Sequence, residues 1–104
     1  MGGGEVNRTV RLDVLQARKL LSRILQHGGL AFTHHARDEL EADDLTEPDV
    51  VNVPRCGRVS DPPELERGSW RYRVETDRMC AVVTFAGNLE IVVVTVWRKR
   101  ERGR

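Results

Sequence analysis

The feature that most constrains this chain is an apolar run at residues 89–97, close to its C-terminal end. The run is rich in β-branched residues and ends in a tryptophan, a composition typical of β-strands. From Ile91 to Val94 it contains no polar residue, whereas a strand with one wet face alternates apolar and polar side chains. This pattern predicts a central strand that is covered on both faces.

A second apolar run, at residues 79–85, lies just upstream. The two runs are separated only by residues 86–88, Ala-Gly-Asn, and a short link that contains Gly and Asn favours a hairpin turn. The pair therefore predicts two neighbouring antiparallel strands.

A third strand is predicted over residues 70–74, where side chains alternate in character. Trp70, Tyr72 and Val74 share one side, and Arg71 and Arg73 share the other. This alternation indicates a half-exposed strand.

Two segments upstream of that strand are less regular. Residues 58–60 are expected to form a short strand or an extended connection, and residues 64–69 are read as a polar link. The C-terminal half is therefore predicted to be a meander of three or four antiparallel strands.

The N-terminal half carries helical periodicity in three segments. They cover residues 9–27, 33–41 and 46–57. Thr9, Thr33 and Thr46 are the expected N-caps, and Asp49 follows Thr46 at the spacing of a capping box. Glycines are expected to stop the first helix in a left-handed conformation after residue 27, and the third at residue 57.

Pro54 is the exception within the third helical segment. It lies one turn before the expected end, where it removes the N–H that would bond to the carbonyl of Val50 and its ring crowds that carbonyl. Two interpretations remain open: the helix ends early at Val53, or it continues and carries a destabilising residue at a core position.

Length and order of elements together predict one α+β domain, with three helices packed on the sheet. In this 104-residue chain, residues 1–8 are expected to be a Gly-rich disordered lead-in, 9–99 the domain, and 100–104 a basic tail. With 17 basic and 16 acidic residues, net charge points to no class of partner.

The sequence contains no paired cysteine spacing, no signal-peptide pattern and no long apolar stretch. These three features indicate the compartment in which the protein is expected. Cys56 and Cys80 stand in unrelated contexts, which fits a reducing compartment. We therefore expect a soluble, cytoplasmic protein with no membrane partner.

Two histidines mark the start of the second helix, His34 and His35. Adjacent helical residues point about 100° apart, and no further ligand stands at a suitable spacing, so we predict no metal site. The positive end of the helix opposes charge on an imidazole, which would suit a base near neutral pH. The ordinary alternative for His35 is a hydrogen-bonded structural residue between helix and sheet.

The sheet offers two further polar features. Arg71 and Arg73, two residues apart beside Tyr72, could form a fork for phosphate, although exposed strand arginines are usually only solvated. Thr95 interrupts the aliphatic strand, and it could equally be a strand threonine favoured by β-propensity.

Taken together, these features resemble a small bacterial domain family of unassigned function that is grouped with the MqsR, BrnT and RelE toxins. The matching segments are residues 32–37, 46–50, 56–59, 71–74 and 94–97. The resemblance spans about residues 12–99, and Pro54 departs from the aliphatic residue that the family favours. It implies helices on a four-stranded antiparallel sheet, as in RelE and MqsR. It also implies a type II toxin, a metal-independent endoribonuclease that cuts messenger RNA and is inhibited by a cognate antitoxin, expected to be a small DNA-binding protein.

The resemblance also assigns functional residues. The catalytic set it implies is His35, Arg71, Tyr72, Arg73 and Thr95. RNA supplies its own nucleophile, the 2′-hydroxyl, so such an enzyme needs a proton-transfer group and cations but no cofactor. His35 would be the base or acid, the arginines would stabilise phosphate, Tyr72 would stack or donate a proton, and Thr95 would position a partner.

Arg98 and Lys99 would hold the RNA backbone without sequence preference. The alternative class is a noncatalytic module that docks a protein through the sheet and the arginine patch. In that case His35 would be structural.

Overall fold

A computed structural model of the chain describes residues 7–60 and 62–99. It is an α+β structure with three helices and a six-stranded mixed sheet. In chain order the elements are α1 (Val14–His27), β1 (Gly29–Phe32), α2 (His34–Ala42), α3 (Glu47–Cys56), β2 (Arg58–Val59), β3 (Glu64–Glu66), β4 (Ser69–Glu75), β5 (Met79–Phe85) and β6 (Glu90–Arg98). The strand order is β1-β6-β5-β4-β2, and β3 pairs with β4. Most of the expected lead-in (residues 1–6) and the whole expected tail lie outside the described residues.

The prediction of three or four antiparallel strands was wrong in two respects: the sheet has six strands, and one pair of neighbouring strands is parallel. The hairpin of β5 and β6 and the pairing of β4 with β5 are antiparallel as predicted. However, β1 pairs with β6 in parallel, and β3 forms where a polar link was expected. These strands have only four and three residues, too few to display a strand period in the sequence.

The interior position of β6 is confirmed, because it lies between β1 and β5. Ile91, Val93 and Val96 are completely buried against the helices, while the opposite face is half-exposed rather than covered. Val83 pairs with Val93 and Val82 pairs with Thr95, so one residue of β6 is left over as a bulge. The extra residue changes which residues of β6 point to the buried face on either side of the bulge. An unbroken apolar run can therefore occur in a sheet that has only one buried face.

The helices occupy two positions around the sheet. α1 and α3 contact each other and pack on the sheet, whereas α2 lies against β6 and β1. The expected caps of α2 and α3 are confirmed, with the hydroxyls of Thr33 and Thr46 accepting hydrogen bonds from backbone N–H groups one turn on. The cap expected for α1 was wrong: Asp13, in a capping box with Gln16, starts the helix at Val14.

The glycines that follow α1 and α3 have a different role from the one expected. Gly28 and Gly57 have φ angles of −120° and −84°, so neither is left-handed. A Cβ at Gly28 would collide with the carbonyl of Leu89, and one at Gly57 would lie 2.7 Å from the carbonyl oxygen of Glu75. Each glycine is required because the chain leaving the helix comes too close to backbone carbonyl groups for a side chain to fit.

The open question about Pro54 is answered by α3, which continues through it to Cys56. The pyrrolidine ring is fully buried in the core. Arg18 of α1 donates hydrogen bonds to the carbonyls of Pro54 and Gly57, which satisfies acceptors that the helix end leaves free. α3 therefore contains a proline in its interior and is supported there by a neighbouring helix.

Across residues 7–60 and 62–99, no helix has the length and apolar character needed to cross a membrane.

Candidate functional site

The two faces of the sheet differ sharply in chemistry. The face under α1 and α3 carries Tyr72, Val74 and Val83, all within the hydrophobic core. By register, the opposite face carries the other residues of β4, β5 and β6. We call it the open face; it includes Arg71, Arg73, Val82, Thr84, Val92 and Trp97. The alternation seen in the sequence of β4 therefore does place both arginines on one face, away from the helices.

Arg73 lies over the indole of Trp97, with its guanidinium carbon 5.7 Å from the ring centroid. Because β5 separates the two strands, this contact spans the middle of the open face and passes over Cys80, which pairs with Trp97. Cys80 is buried although it lies on this face, and burial raises the pKa of its thiol to about 11. Cys80 is therefore a protonated packing residue at neutral pH.

A second cation on this face is held by a carboxylate. Nζ of Lys99 lies 2.7 Å from Oε1 of Glu75, and the hydroxyl of Ser60 donates to Oε2 of Glu75 at 2.7 Å. These hydrogen bonds, from Lys99 first and Ser60 second, lower the pKa of Glu75. Lys99, predicted to hold RNA backbone, is thus present on the open face but already paired.

Arg71 is paired at one end and unsatisfied at the other. Its Nη1 donates to Oε1 of Glu66 in β3 at 3.0 Å. Its Nε is buried and has no hydrogen-bond partner in the described part of the chain. Buried donors without partners are rare in proteins, so Arg71 is only partly satisfied by contacts within the described residues.

His35 is placed by a chain of contacts that ends on β6. Its Nε2 lies 3.3 Å from Oε2 of Glu39, one helical turn along α2. The other carboxylate oxygen, Oε1 of Glu39, accepts a hydrogen bond of 2.5 Å from the hydroxyl of Thr95 and one of 2.9 Å from the backbone N–H of Val96. The carboxylate is therefore fixed by the sheet, while the imidazole, 70% exposed, remains accessible through Nδ1.

The reason α2 lies here is the unpaired edge of β6 beyond the end of β1. Glu39 accepts the N–H of Val96, and Asp43 accepts the N–H of Arg98 at 3.1 Å. Residues four apart on a helix rise about 6 Å, close to the spacing of alternate residues in a strand. The two carboxylates thus take the place of a neighbouring strand, which protects an exposed sheet edge.

The histidine and the arginines are linked through one row of the sheet. Arg73 pairs with Val82, and Val82 pairs with Thr95, whose hydroxyl holds the carboxylate beside His35. Two strand spacings separate the backbones of Arg73 and Thr95, or roughly 10 Å. An extended ligand lying across this row could contact both groups, whereas a single small anion could not.

Tyr72 does not belong to this surface, which corrects the prediction that it stacks on RNA or donates a proton to it. Its side chain is 1% exposed and packs on Phe85, with ring centroids 5.2 Å apart. Its hydroxyl accepts the N–H of Leu12 at 2.8 Å and donates to the carbonyl of Val10 at 3.3 Å. Burial raises the pKa of Tyr72, so it is a neutral core residue that secures the segment before α1.

Arg98 is likewise separated from its predicted neighbour Lys99, because adjacent strand residues point to opposite faces. It pairs with Met79 on the helix side of the sheet, and its guanidinium donates to the carbonyl of Asp43 at 3.2 Å. The predicted RNA-holding pair Arg98 and Lys99 is therefore divided between the two faces.

Two residues of the site were not identified from the sequence. Glu39 stands four residues after His35, the spacing at which helical side chains meet, and this signal was available. Trp97 lies two residues after Thr95, so strand alternation alone puts both on one face. Its contact with Arg73 depends on strand order and could not be read from spacing.

No cluster of three or more histidine, cysteine or acidic side chains suited to a metal ion occurs among residues 7–60 and 62–99. Comparisons with protein-family models, with curated proteins and with solved structures found no match to this chain. The site is therefore interpreted from its own geometry.

Proposed function

We propose that this protein is an endoribonuclease of the toxin type, which binds RNA on the open face and cleaves it through the RNA's own 2′-hydroxyl. The observation that carries the proposal is the His35–Glu39–Thr95 chain of contacts beside a sheet face that bears two arginines and a tryptophan. An exposed imidazole backed by a fixed carboxylate is an arrangement suited to proton transfer.

In this mechanism Nδ1 of His35 removes the proton of the 2′-hydroxyl, whose oxygen forms a bond to phosphorus while the bond from phosphorus to the 5′-oxygen breaks. The 5′-oxygen takes its proton from the imidazolium so formed or from water, and the products are a 2′,3′-cyclic phosphate and a 5′-hydroxyl. Glu39 is a positioning residue: it orients the imidazole and stabilises the cation formed when His35 takes up a proton. Thr95 positions Glu39 in turn. Arg71 and Arg73 would stabilise the charge of the phosphorane, and Trp97 replaces Tyr72 as the aromatic surface for a base.

The test is cleavage of single-stranded RNA by variants of His35 in the presence of a chelator. His35→Gln should lower the cleavage rate by roughly 10²–10⁴-fold, the usual contribution of a positioned proton-transfer group, and should keep much of the RNA affinity. His34→Gln is the matched control, because His34 is also exposed in the first turn of α2. Growth arrest on expression in bacteria provides a second readout.

Glu39→Gln separates positioning from mere stability. The amide can still accept from Val96 and Thr95, but it carries no charge to hold the imidazole in place, so kcat should fall while KM and the urea midpoint stay close to the parent values. A folded His35→Gln protein with full activity would reject the assignment of the proton-transfer group.

The second candidate is a noncatalytic protein-binding module, and one specific observation favours it. Three cations of the open face already have partners within the chain: Arg71 with Glu66, Lys99 with Glu75, and Arg73 with Trp97. Such contacts also occur in purely structural surfaces. Absence of RNA cleavage by the parent protein, combined with unchanged RNA affinity in an Arg71→Ala, Arg73→Ala double variant, would favour this candidate.

A further inference from the structure

A second feature of the open face lies between the β3–β4 turn and β6, and it extends to Thr33 at the start of α2. It is a groove with a volume of about 400 Å³. We call it the basic groove; the lining residues that matter here are Arg8, Glu66, Arg67, Arg71, Thr84 and Val92. Its size lies within the range of pockets that bind small organic ligands.

The charges of the basic groove are unbalanced. Three arginines face one glutamate, and Glu66 is taken up by Nη1 of Arg71. Arg8 and Arg67 form no ion pair within the part of the chain that the structure describes. The groove therefore carries an excess of positive charge in a concave site, where charge acts more strongly than on a flat surface.

The hydroxyl groups of the groove are not available as donors, which leaves the arginines. Thr84 donates to the carbonyl of Trp70 at 2.9 Å and lies 3.1 Å from the hydroxyl of Ser69. Thr33 donates to the carbonyl of Val94 at 3.0 Å. The guanidinium groups of Arg8, Arg67 and Arg71, which line the groove, are thus the donors that a ligand would meet.

The position of Arg67 adds a backbone argument. Arg67 and Gly68, the central residues of the β3–β4 turn, have φ angles of 53° and 77°. Such turns favour Asn or Asp followed by Gly, because other side chains are strained at positive φ. An arginine at the first position is unfavourable for the turn itself, and strain of this kind is concentrated at functional sites.

A smaller cleft continues the path along β4. It has a volume of about 140 Å³ and is lined by Arg71 and Arg73 together with Ser60, Glu64 and Val82. Arg71 lines both spaces, so three arginines follow one another from Arg67 through Arg71 to Arg73, beside Glu64 and Glu66 of β3, and the guanidinium of Arg73 lies over Trp97. This series of cations ending at an aromatic ring matches the way proteins hold a single nucleic-acid strand.

We propose that the basic groove binds a backbone phosphate of single-stranded RNA, on a path that continues over Arg71 and Arg73 to Trp97. This inference rests on the proposed RNA-directed function and adds a phosphate site that reaches Thr33, the N-cap of the helix that carries the proton-transfer group. The guanidinium groups of Arg67 and Arg71 bind the phosphate oxygens, and Val92, which also lines the groove, contacts the nucleoside.

The experiment measures binding of a fluorescent, single-stranded 2′-O-methyl RNA by anisotropy over a range of salt concentrations. This probe lacks the nucleophilic hydroxyl, so binding is measured without cleavage. Arg67→Asn removes the cation and suits the positive φ, so the variant should be at least as stable as the parent. It should bind roughly tenfold more weakly, and the slope of log affinity against log salt should fall by about 0.7.

Two controls make the result specific. Arg67→Lys keeps the charge and should retain most of the affinity. Arg23→Gln removes an exposed arginine from α1, which packs on the other face, and should leave the affinity unchanged.

Parent-like affinity of Arg67→Asn, or an equal loss in Arg23→Gln, would overturn the groove assignment. Equal affinity for uridine monophosphate and for the oligonucleotide would also overturn it, in favour of a mononucleotide site. The cleavage assay with His35→Gln is independent of these outcomes. A parent that binds the probe but cuts no RNA would disprove the nuclease and retain the groove.

Discussion

Replacing Pro54 should stabilise the protein, because α3 continues beyond it to Cys56. A proline in a helix interior is about 3 kcal/mol less favourable than alanine, and leucine lies close to alanine on the same scale. Leucine has one more side-chain carbon than proline, and adding it to a fully buried site costs about 1–2 kcal/mol. The net expectation for Pro54→Leu is therefore a gain of about 1–2 kcal/mol, or roughly 5–10 °C in Tm.

The assay is urea unfolding, with thermal unfolding as a second measurement. Pro54→Ala avoids overpacking and loses two buried carbons at about 0.8 kcal/mol each, so it should also gain about 1 kcal/mol. Pro48→Leu is the matched control, because Pro48 is exposed in the first turn of the same helix, where no N–H is needed. The reasoning fails if neither Pro54 variant exceeds the parent, or if Pro48→Leu gains as much.

Three further predictions concern single contacts. Tyr72→Phe leaves the buried N–H of Leu12 without an acceptor and should lower the free energy of unfolding in urea by about 1–3 kcal/mol. The rate of RNA cleavage should stay at the parental value. Loss of cleavage in a folded variant would return Tyr72 to the site. Glu75→Gln removes a carboxylate whose pKa is lowered when folded. The stabilising effect of the Glu75 carboxylate is therefore present above pH 4.5 and is lost as the pH falls through the lowered pKa. The difference in the free energy of unfolding between parent and variant should therefore shrink in acid. A difference that does not change with pH would contradict the pairing of Glu75 with Lys99. Arg18→Gln should lower stability by about 1–3 kcal/mol because two carbonyls at the end of α3 lose a charged donor, and an unchanged urea midpoint would show that these bonds contribute nothing.

Much of the secondary structure followed from local patterns, because caps and strand alternation act over a few residues. Thr33 and Thr46 begin their helices as predicted, and strand alternation correctly placed Arg71 and Arg73 on one face and Tyr72 on the other. The first helix was started too early, since Asp13 competes with Thr9 for the cap and forms the better capping box. The short strand β1 escaped prediction because four residues cannot show a period.

The candidate site was predictable only in part. Local sequence puts His35 at a helix start and Thr95 on a strand, but their connection through Glu39 depends on α2 covering the edge of β6. The same limit explains the error over Tyr72, because alternation separates it from the arginines but does not say which face is buried.

The sequence by itself determined the three helices and the strands β4, β5 and β6, since capping, turn chemistry and apolar periodicity are local interactions. Only the tertiary structure decided which face of the sheet the helices cover, and hence that Arg73 meets Trp97 while Tyr72 is enclosed. It also decided that β1 ends early enough for Glu39 to bond to β6. The physical reason is that contacts between residues more than twenty positions apart depend on strand order and on the burial of one whole face, which no short stretch of sequence encodes.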